Sequence, residues 1–122
     1  MKPKFRVWDK LDKEIYEVGE IHWSRGEFDF IGDGITFKRD ADEVELMQST
    51  DMVDRDGKII FEGDIVKMSK DVYSEPTYYE VIKHYGGAYR LESKQHGCEL
   101  WLRHTDCEVV GNIYENKELL DA

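Results

Sequence analysis

Cysteine and proline are scarce in this 122-residue chain, which has two of each, and no apolar run approaches the length of a membrane span. A transmembrane helix needs about 20 consecutive apolar residues, so none is predicted. The basic start, Met1–Arg6, leads into the charged segment 9–12 and not into the apolar stretch of a signal peptide. We therefore expect a cytosolic protein in which Cys98 and Cys107 are thiols.

Basic charge is in deficit, with 17 Lys and Arg against 27 Asp and Glu and a formal net charge of −10. Nucleic-acid binding depends on neutralising phosphates with cationic side chains, which this balance disfavours. Residues 1–61 hold 10 basic and 15 acidic residues and residues 62–122 hold 7 and 12, so no basic domain is hidden. The acidic stretch 40–56 is expected to be solvated loop and turn, with an anionic docking face as the alternative.

Short runs of alternating apolar residues predict strands along the whole chain. The clearest is a hairpin in which Gly86-Gly87 joins a strand at Tyr78–Tyr85 to one at Ala88–Ser93. Asn116 is expected to cap a closing helical turn over 116–120. The remaining predicted strands are 5–8, 14–18, 21–23, 28–31, 35–38, 45–50, 59–61, 62–68, 98–102 and 108–114, with a helical turn as the alternative at the start of 45–50. Strands this short and evenly spaced are typical of a small barrel or sandwich, and the chain length indicates a single domain.

Four zinc-type ligands fall close together in the sequence, namely His96, Cys98, His104 and Cys107. Their spacing is not the paired pattern of structural zinc sites. Free cysteine also behaves as a small buried apolar residue, which is the role expected for both thiols. These four residues therefore remain weak metal candidates, and no metal or other cofactor is predicted.

Two further groups of residues could in principle carry chemistry. The segment around Asp54, Asp56 and Gly57 resembles a calcium loop, but Met52 and Gly63 stand where that loop needs oxygen ligands, so a β-turn is predicted. No motif orders a base beside a nucleophile, and no glycine-rich phosphate loop is present. The tryptophans and the hairpin tyrosines are expected in the core and in cross-strand pairs. No catalytic residue is predicted.

Three blocks of sequence carry a family resemblance. The first is Lys4–Asp9, the second runs from Glu45 to Thr50 and on through Asp54–Val66, and the third is Glu108–Asn116 followed by Glu118-Leu119-Leu120. Together they resemble the YopX-like family of small phage and prophage proteins. The resemblance implies an all-β fold with an SH3-type barrel in the C-terminal part, a phage or prophage origin and a bacterial cytosol. It implies no established activity.

The resemblance also picks out motif residues, which we expect to be structural: Trp8, Asp9, Gln48, Thr50, Gly57, Glu62, Gly63, Asp64, Gly111, Asn112 and Tyr114. Gly57 suits a turn with positive φ, Gly63 a bend, and Gly111 a bulge or close backbone approach. Asp9, Gln48 and Thr50 are expected to tie the N-terminal strands to the barrel by hydrogen bonds. One YopX-like domain, 1–122, is predicted, with short N-terminal strands in a β subdomain at 1–56 packed with a barrel at 57–116.

The function predicted from these features is that of a non-enzymatic protein-interaction module. The partner is an unidentified host or phage protein with a basic face, because opposite charge steers association. A nucleic-acid accessory protein is the alternative, by analogy with other small barrels, and a small hydrolase is the third. Open edge strands also permit a homo-oligomer.

Overall fold

The computed structural model describes residues 4–69 and 73–121. About 50% of the chain is strand and 16% is helix, and the sheets are antiparallel, so the all-β class is confirmed. The chain divides into two compact units, Met1–Ser49 and Thr50–Ala122. Between the predicted strands at 62–68 and 78–85 the sequence leaves a loop at 69–77, part of which lies outside the described residues.

The first unit consists of short antiparallel strands. They are β1 (Phe5–Asp9), β2 (Glu14–Val18), β3 (Ile21–Ser24), β4 (Glu27–Ile31), β5 (Arg39–Asp40) and the first half of β6 (Val44–Val53). One sheet has the order β2-β1-β6 here, and β3-β4-β5 form another. Val7 lies opposite Tyr16 and Leu46 in the first sheet and, with Ile31 and Val44, forms the buried core of this unit.

The second unit begins with the second half of β6, which pairs with β7 (Ile59–Phe61). It continues with β8 (Asp64–Met68), β9 (Thr77–Lys83), β10 (Tyr89–Glu92), β11 (Gly97–Glu99), the one-turn helix α1 (Leu100–Arg103) and β12 (Glu108–Asn112). Short 3₁₀ segments cover Tyr85–Gly87, His104–Asp106 and Lys117–Asp121, and another covers Ala41–Glu43 in the first unit.

A curled, five-stranded antiparallel sheet of half-barrel form, in the order β11-β10-β9-β8-β12, builds the second unit. Alternation puts Tyr79 and Val81 of β9 inward, opposite Val66 of β8 and Leu91 of β10. These side chains are buried with Ile60, Met68, Leu100 and Cys107. Apolar burial of this kind is the main stabilising contribution in a domain this size.

The register of this sheet shows which loops lie at the same end. Arg90 lies opposite both Ile82 and Glu99, so the end of β9, the start of β10 and the end of β11 are neighbours. The helix α1 starts directly after β11 and therefore starts at that end. The Gly63 amide donates to the Val81 carbonyl at 2.9 Å, which brings the turn before β8 to the same place. We call this the hairpin end of the sheet.

Several predicted elements are confirmed. The segment 45–50 is strand, as part of β6, and the β9–β10 hairpin is present with its turn at Tyr85–Gly87. The closing turn is present as Lys117–Asp121, but Asn116 does not cap it with its side chain. Its Oδ1 instead accepts a hydrogen bond from the Asn112 amide at 3.2 Å.

Other predicted elements are wrong. The strand predicted at 98–102 ends at Glu99, and α1 begins at Leu100. A short apolar run is compatible with a strand or a helical turn, and the helix buries Leu100. The strand predicted at 35–38 is a loop held by Asp33, whose Oδ1 accepts the amides of Ile35, Thr36 and Phe37 at 2.8–3.0 Å. The acidic stretch 40–56 is mainly strand β6 and not solvated loop.

Candidate functional site

The two histidines among the predicted metal ligands are engaged in separate hydrogen bonds. His96 Nε2 lies 2.9 Å from the Tyr79 hydroxyl, and His104 Nδ1 donates to the Val53 carbonyl at 2.7 Å. Within residues 4–69 and 73–121, no three His, Cys, Asp or Glu side chains form a group suited to a metal. The four candidate ligands are therefore not brought together as one site.

The two cysteines lie in or against the core of the second unit. Cys107 is fully buried, and its thiol donates to the Arg103 carbonyl at 3.3 Å, while Cys98 is half-buried beside the same core. Burial, with smaller effects from Cys98 and Asp106, raises the pKa of Cys107 to about 12, and burial also raises the pKa of Cys98. Both groups are therefore protonated thiols at neutral pH, and a thiol is a much weaker nucleophile than a thiolate.

Asp9 is the centre of a hydrogen-bond network in the first unit. Its carboxylate is fully buried and accepts the amides of Leu11 and Asp12, the Tyr16 hydroxyl at 2.7 Å and Arg39 Nε at 3.0 Å. Burial alone would raise the pKa of Asp9, but these hydrogen bonds and the Arg39 charge together lower it. The prediction that Asp9 ties the N-terminal strands to the barrel is wrong, since all these partners belong to the first unit.

Asp54 plays a similar part in the second unit. It is buried, and its Oδ1 accepts the amides of Asp56 and Lys58, each at 2.9 Å. Its Oδ2 accepts the amide of Val109 on the edge strand β12, also at 2.9 Å. Gly57, with φ of 85°, completes the β-turn that the sequence predicts. One carboxylate thus closes a turn and covers an amide that would otherwise face outward from a sheet edge.

The turn between β7 and β8 is built in the same way. Asp64 is fully buried, and its Oδ2 accepts the Phe61 amide at 2.8 Å. Gly63 has φ of 88°, donates to the Val81 carbonyl and accepts the Ile113 amide. A positive φ is strained for residues with a Cβ, which explains glycine at this bend.

Gly111 lies where β12 has a register shift relative to β8. A Cβ at this position would collide with the Asn116 side chain. The Asn112 Oδ1 accepts the amides of Tyr114 and Glu115, each at 3.0 Å, so the chain turns sharply after β12. Gly111, Asn112 and Asn116 together shape the end of the edge strand.

The remaining motif residues lie on strands. Trp8 is half-buried on β1, Gln48 lies opposite Phe5, and the Thr50 hydroxyl donates to the Ile60 carbonyl at 2.7 Å. The Thr50 bond lies within the second unit, in contrast to the tie predicted for it. The side chains of Asp9, Thr50, Asp64 and Asn112 bond backbone groups, and Gly57, Gly63 and Gly111 occupy turns and a register shift.

Three large side chains project into solvent at the hairpin end of the sheet. Tyr85 is 99% exposed, Trp101 is 62% exposed and Leu102 is 57% exposed. Tyr85 lies on the β9–β10 turn, and the other two lie on α1, whose Leu100 is buried and fixes the helix. The prediction that the tryptophans lie in the core or in cross-strand pairs is therefore wrong for Trp101. Trp23 is also exposed, but it does form a cross-strand pair with Phe28, with ring centroids 5.8 Å apart. The residue type alone does not show whether an aromatic side chain points to the core or to solvent, so the sequence could not identify the outward-facing ones.

An open cleft lies beside Tyr85. It has a volume of about 450 Å³ and is lined by Glu62, Ile82, Lys83, His84 and Tyr85. The turn that carries Tyr85 is short and internally bonded, because His84 donates its amide to the Ala88 carbonyl at 2.7 Å. The motif residue Glu62 is half-buried and forms part of the cleft wall.

Residues 50–122 contain 15 acidic and 9 basic residues, so the second unit keeps the negative balance of the whole chain. Within the described part of the chain, no helix has both the length and the apolar character to cross a bilayer.

The fold and these surfaces define a small all-β protein in which a curled half-barrel sheet presents aromatic side chains at one end. The chain belongs to the YopX family, since the family described as YopX protein matches residues 4–121. The family membership expected from the three sequence blocks is confirmed.

Two solved structures are similar to this chain over nearly its full length. Protein EF1440 from Enterococcus faecalis is 27% identical, with a TM-score of 0.71 and coverage of 98% of this chain and 99% of that one. Protein yopX from Bacillus subtilis is 24% identical, with a TM-score of 0.67 and coverage of 100% and 98%. The second likeness concerns the fold alone. No curated protein matches the chain significantly.

Proposed function

We propose that this protein is a non-enzymatic protein-interaction module that binds its partner through the hairpin end of the second unit. The observation that carries the proposal is the shared location of Tyr85, Trp101 and Leu102, all more than half exposed at one end of one sheet. Tryptophan and tyrosine are the residues that most often dominate the energy of protein interfaces. Keeping them in solvent forgoes the gain from burial, which a partner surface would supply.

Local structure favours binding at this end. The turn carrying Tyr85 is closed by the bond from the His84 amide, and α1 is anchored by the buried Leu100. Side chains on ordered supports lose less conformational entropy on association than side chains on mobile loops. Tyr85 and the two α1 residues are thus each held on an ordered support.

The proposed partner has a basic surface. The net negative charge of the second unit would steer such a protein toward it, with an attraction that weakens as salt rises. The family resemblance suggests that the partner is a bacterial host or phage protein, that the gene is of phage or prophage origin, and that binding takes place in the bacterial cytosol.

Two observations favour binding over catalysis. His96 and His104 are engaged with Tyr79 and with a backbone carbonyl, and the raised pKa of Cys107 leaves its thiol protonated. A nucleic-acid partner is disfavoured because 15 acidic residues outnumber 9 basic ones across residues 50–122.

The test is affinity capture from a bacterial lysate that is split into nuclease-treated and untreated halves, with the retained proteins identified by mass spectrometry. We expect at least one specific protein to be retained equally in both halves. A set of partners that disappears after nuclease treatment would contradict the proposal and support the nucleic-acid alternative.

A further inference from the structure

The cleft at the hairpin end combines an aromatic wall with a carboxylate. Tyr85 and Ile82 provide apolar surface, and Glu62 provides the negative charge. Lys83 also lines the cleft and already has an interaction partner in the chain. A site with this make-up suits a cation that has a flat or apolar body.

Glu62 has neither a hydrogen bond nor an ion pair with any residue in the ranges 4–69 and 73–121. Three half-buried acids of the five-stranded sheet have cationic partners, whereas Glu80 has, among the described residues, only the more distant charge of Lys117. Glu92 and Glu99 both pair with Arg90, at 2.8 and 2.6 Å, and Glu108 pairs with Lys67 at 3.6 Å. A half-buried carboxylate is partly desolvated, so an incoming cation gains more there than at a fully hydrated acid.

A second carboxylate, that of Asp51, acts with Glu62 on the neighbouring Tyr89. Burial, followed by the charges of Glu62 and Asp51, raises the pKa of the nearby Tyr89. Tyr89 is half-buried at the start of β10 and lies within electrostatic range of both acids.

We propose that this cleft receives an arginine side chain from a basic segment of the protein partner. The inference rests on the proposed function and adds which side chain of the partner enters the cleft. A guanidinium can form a charge-assisted hydrogen bond with Glu62 while its plane packs against Tyr85. Arginine fits better than lysine because its charge is spread over a flat group that stacks on aromatic rings.

The direct test is an NMR titration of the ¹⁵N-labelled full chain with two blocked pentapeptides. One has a central arginine flanked by alanines, and the other has citrulline, which keeps the shape and loses the charge. We expect the arginine peptide to shift the amides of residues 62, 82–85 and 89, and the citrulline peptide to bind at least about tenfold more weakly. Equal shifts with both peptides, or shifts elsewhere only, would overturn the inference.

Matched variants complete the test. Glu62→Gln should weaken binding of the arginine peptide by about tenfold, because it removes the charge and keeps the size. Glu75→Gln removes the same charge from an exposed position just before β9, at the opposite end of the sheet, and should bind like the wild type. Unchanged binding by Glu62→Gln would overturn the inference. The proposed function would survive that result if the captured protein were still lost on substitution of Trp101, so the two failures are distinguishable.

Discussion

Arg39 and Asp9 are thirty positions apart, and the Arg39 Nε lies 3.0 Å from the Asp9 Oδ2. The Asp9 carboxylate is fully buried, and the Arg39 side chain is mostly buried. Arg39 is the first residue of β5 and Asp9 is the last of β1, so the pair joins the two sheets of the first unit. A buried charge without its partner is costly, which makes this pair the clearest point at which to test the first unit.

We predict that Asp9→Asn lowers the free energy of unfolding by about 2–4 kcal/mol, because a buried Arg39 charge loses its counter-ion. Asp12→Asn is the control. Asp12 also bonds Arg39, at 3.0 Å, but its side chain is half exposed. The control should cost less than about 1 kcal/mol. Urea unfolding of both variants measures the difference, and equal effects would contradict the role assigned to Asp9.

The effect of Asp9→Asn should depend on pH. The pKa of Asp9 is lower in the folded chain than the unfolded value of about 3.9, so the ionised carboxylate stabilises the fold above that pH. As pH falls, Asp9 binds a proton in the unfolded chain before it does so in the folded chain. This proton binding favours the unfolded chain, so the stabilisation is lost. The gap in unfolding free energy between wild type and Asp9→Asn should therefore narrow from pH of about 6 to about 3. A gap that stays constant would show that the charge of Asp9 contributes nothing.

Asp54→Ala should destabilise the second unit by about 2–3 kcal/mol, because the amides of Asp56, Lys58 and Val109 lose their acceptor. Asp56→Ala removes an exposed acid from the same turn and should change stability by less than about 0.5 kcal/mol. Thermal and urea unfolding compare the two. A small effect of Asp54→Ala would mean that water replaces the carboxylate without cost.

The thiols should differ in reactivity. In a Cys98→Ser variant, buried Cys107, with its pKa raised to about 12, should resist a thiol reagent at neutral pH until the chain is unfolded. In a Cys107→Ser variant, half-buried Cys98 should react in the folded state, although slowly. Reaction is followed by absorbance or mass. Rapid labelling of Cys107 in native buffer would disprove the burial described for it.

Much of the strand pattern could be predicted because alternation is a local signal. Glu14–Val18 and the β9–β10 hairpin follow directly from which residues are apolar. Leu100–Leu102 was predicted wrongly because three residues are too few to distinguish a strand from one helical turn. The loop at 32–37 is held by hydrogen bonds to the Asp33 side chain. The alternation of apolar and polar residues carries no information about such bonds.

The long-range contacts could not be predicted from one sequence. Asp9 was assigned a structural role, yet its partner Arg39 follows a loop whose path no pattern reveals. The contact of Asp54 with Val109 spans 55 positions. The apolar character of Trp101 predicts a core position, and only the turn of α1 shows that this side chain faces outward.

We propose above that the hairpin end of the second unit binds a protein partner. The most direct measurement is quantitative capture from nuclease-treated lysate with wild type, Trp101→Ala, Tyr85→Ala and Tyr73→Ala as baits. Tyr73 is 96% exposed and lies before β9, at the opposite end of the sheet, so it is a matched control. All three variants should keep wild-type stability within about 0.5 kcal/mol, because the altered residues are exposed.

We predict that wild type and Tyr73→Ala retain the same specific protein, and that Trp101→Ala and Tyr85→Ala retain it at least about tenfold less, as expected when an interface anchor is truncated. Retention that is equal for all four baits would contradict the claim.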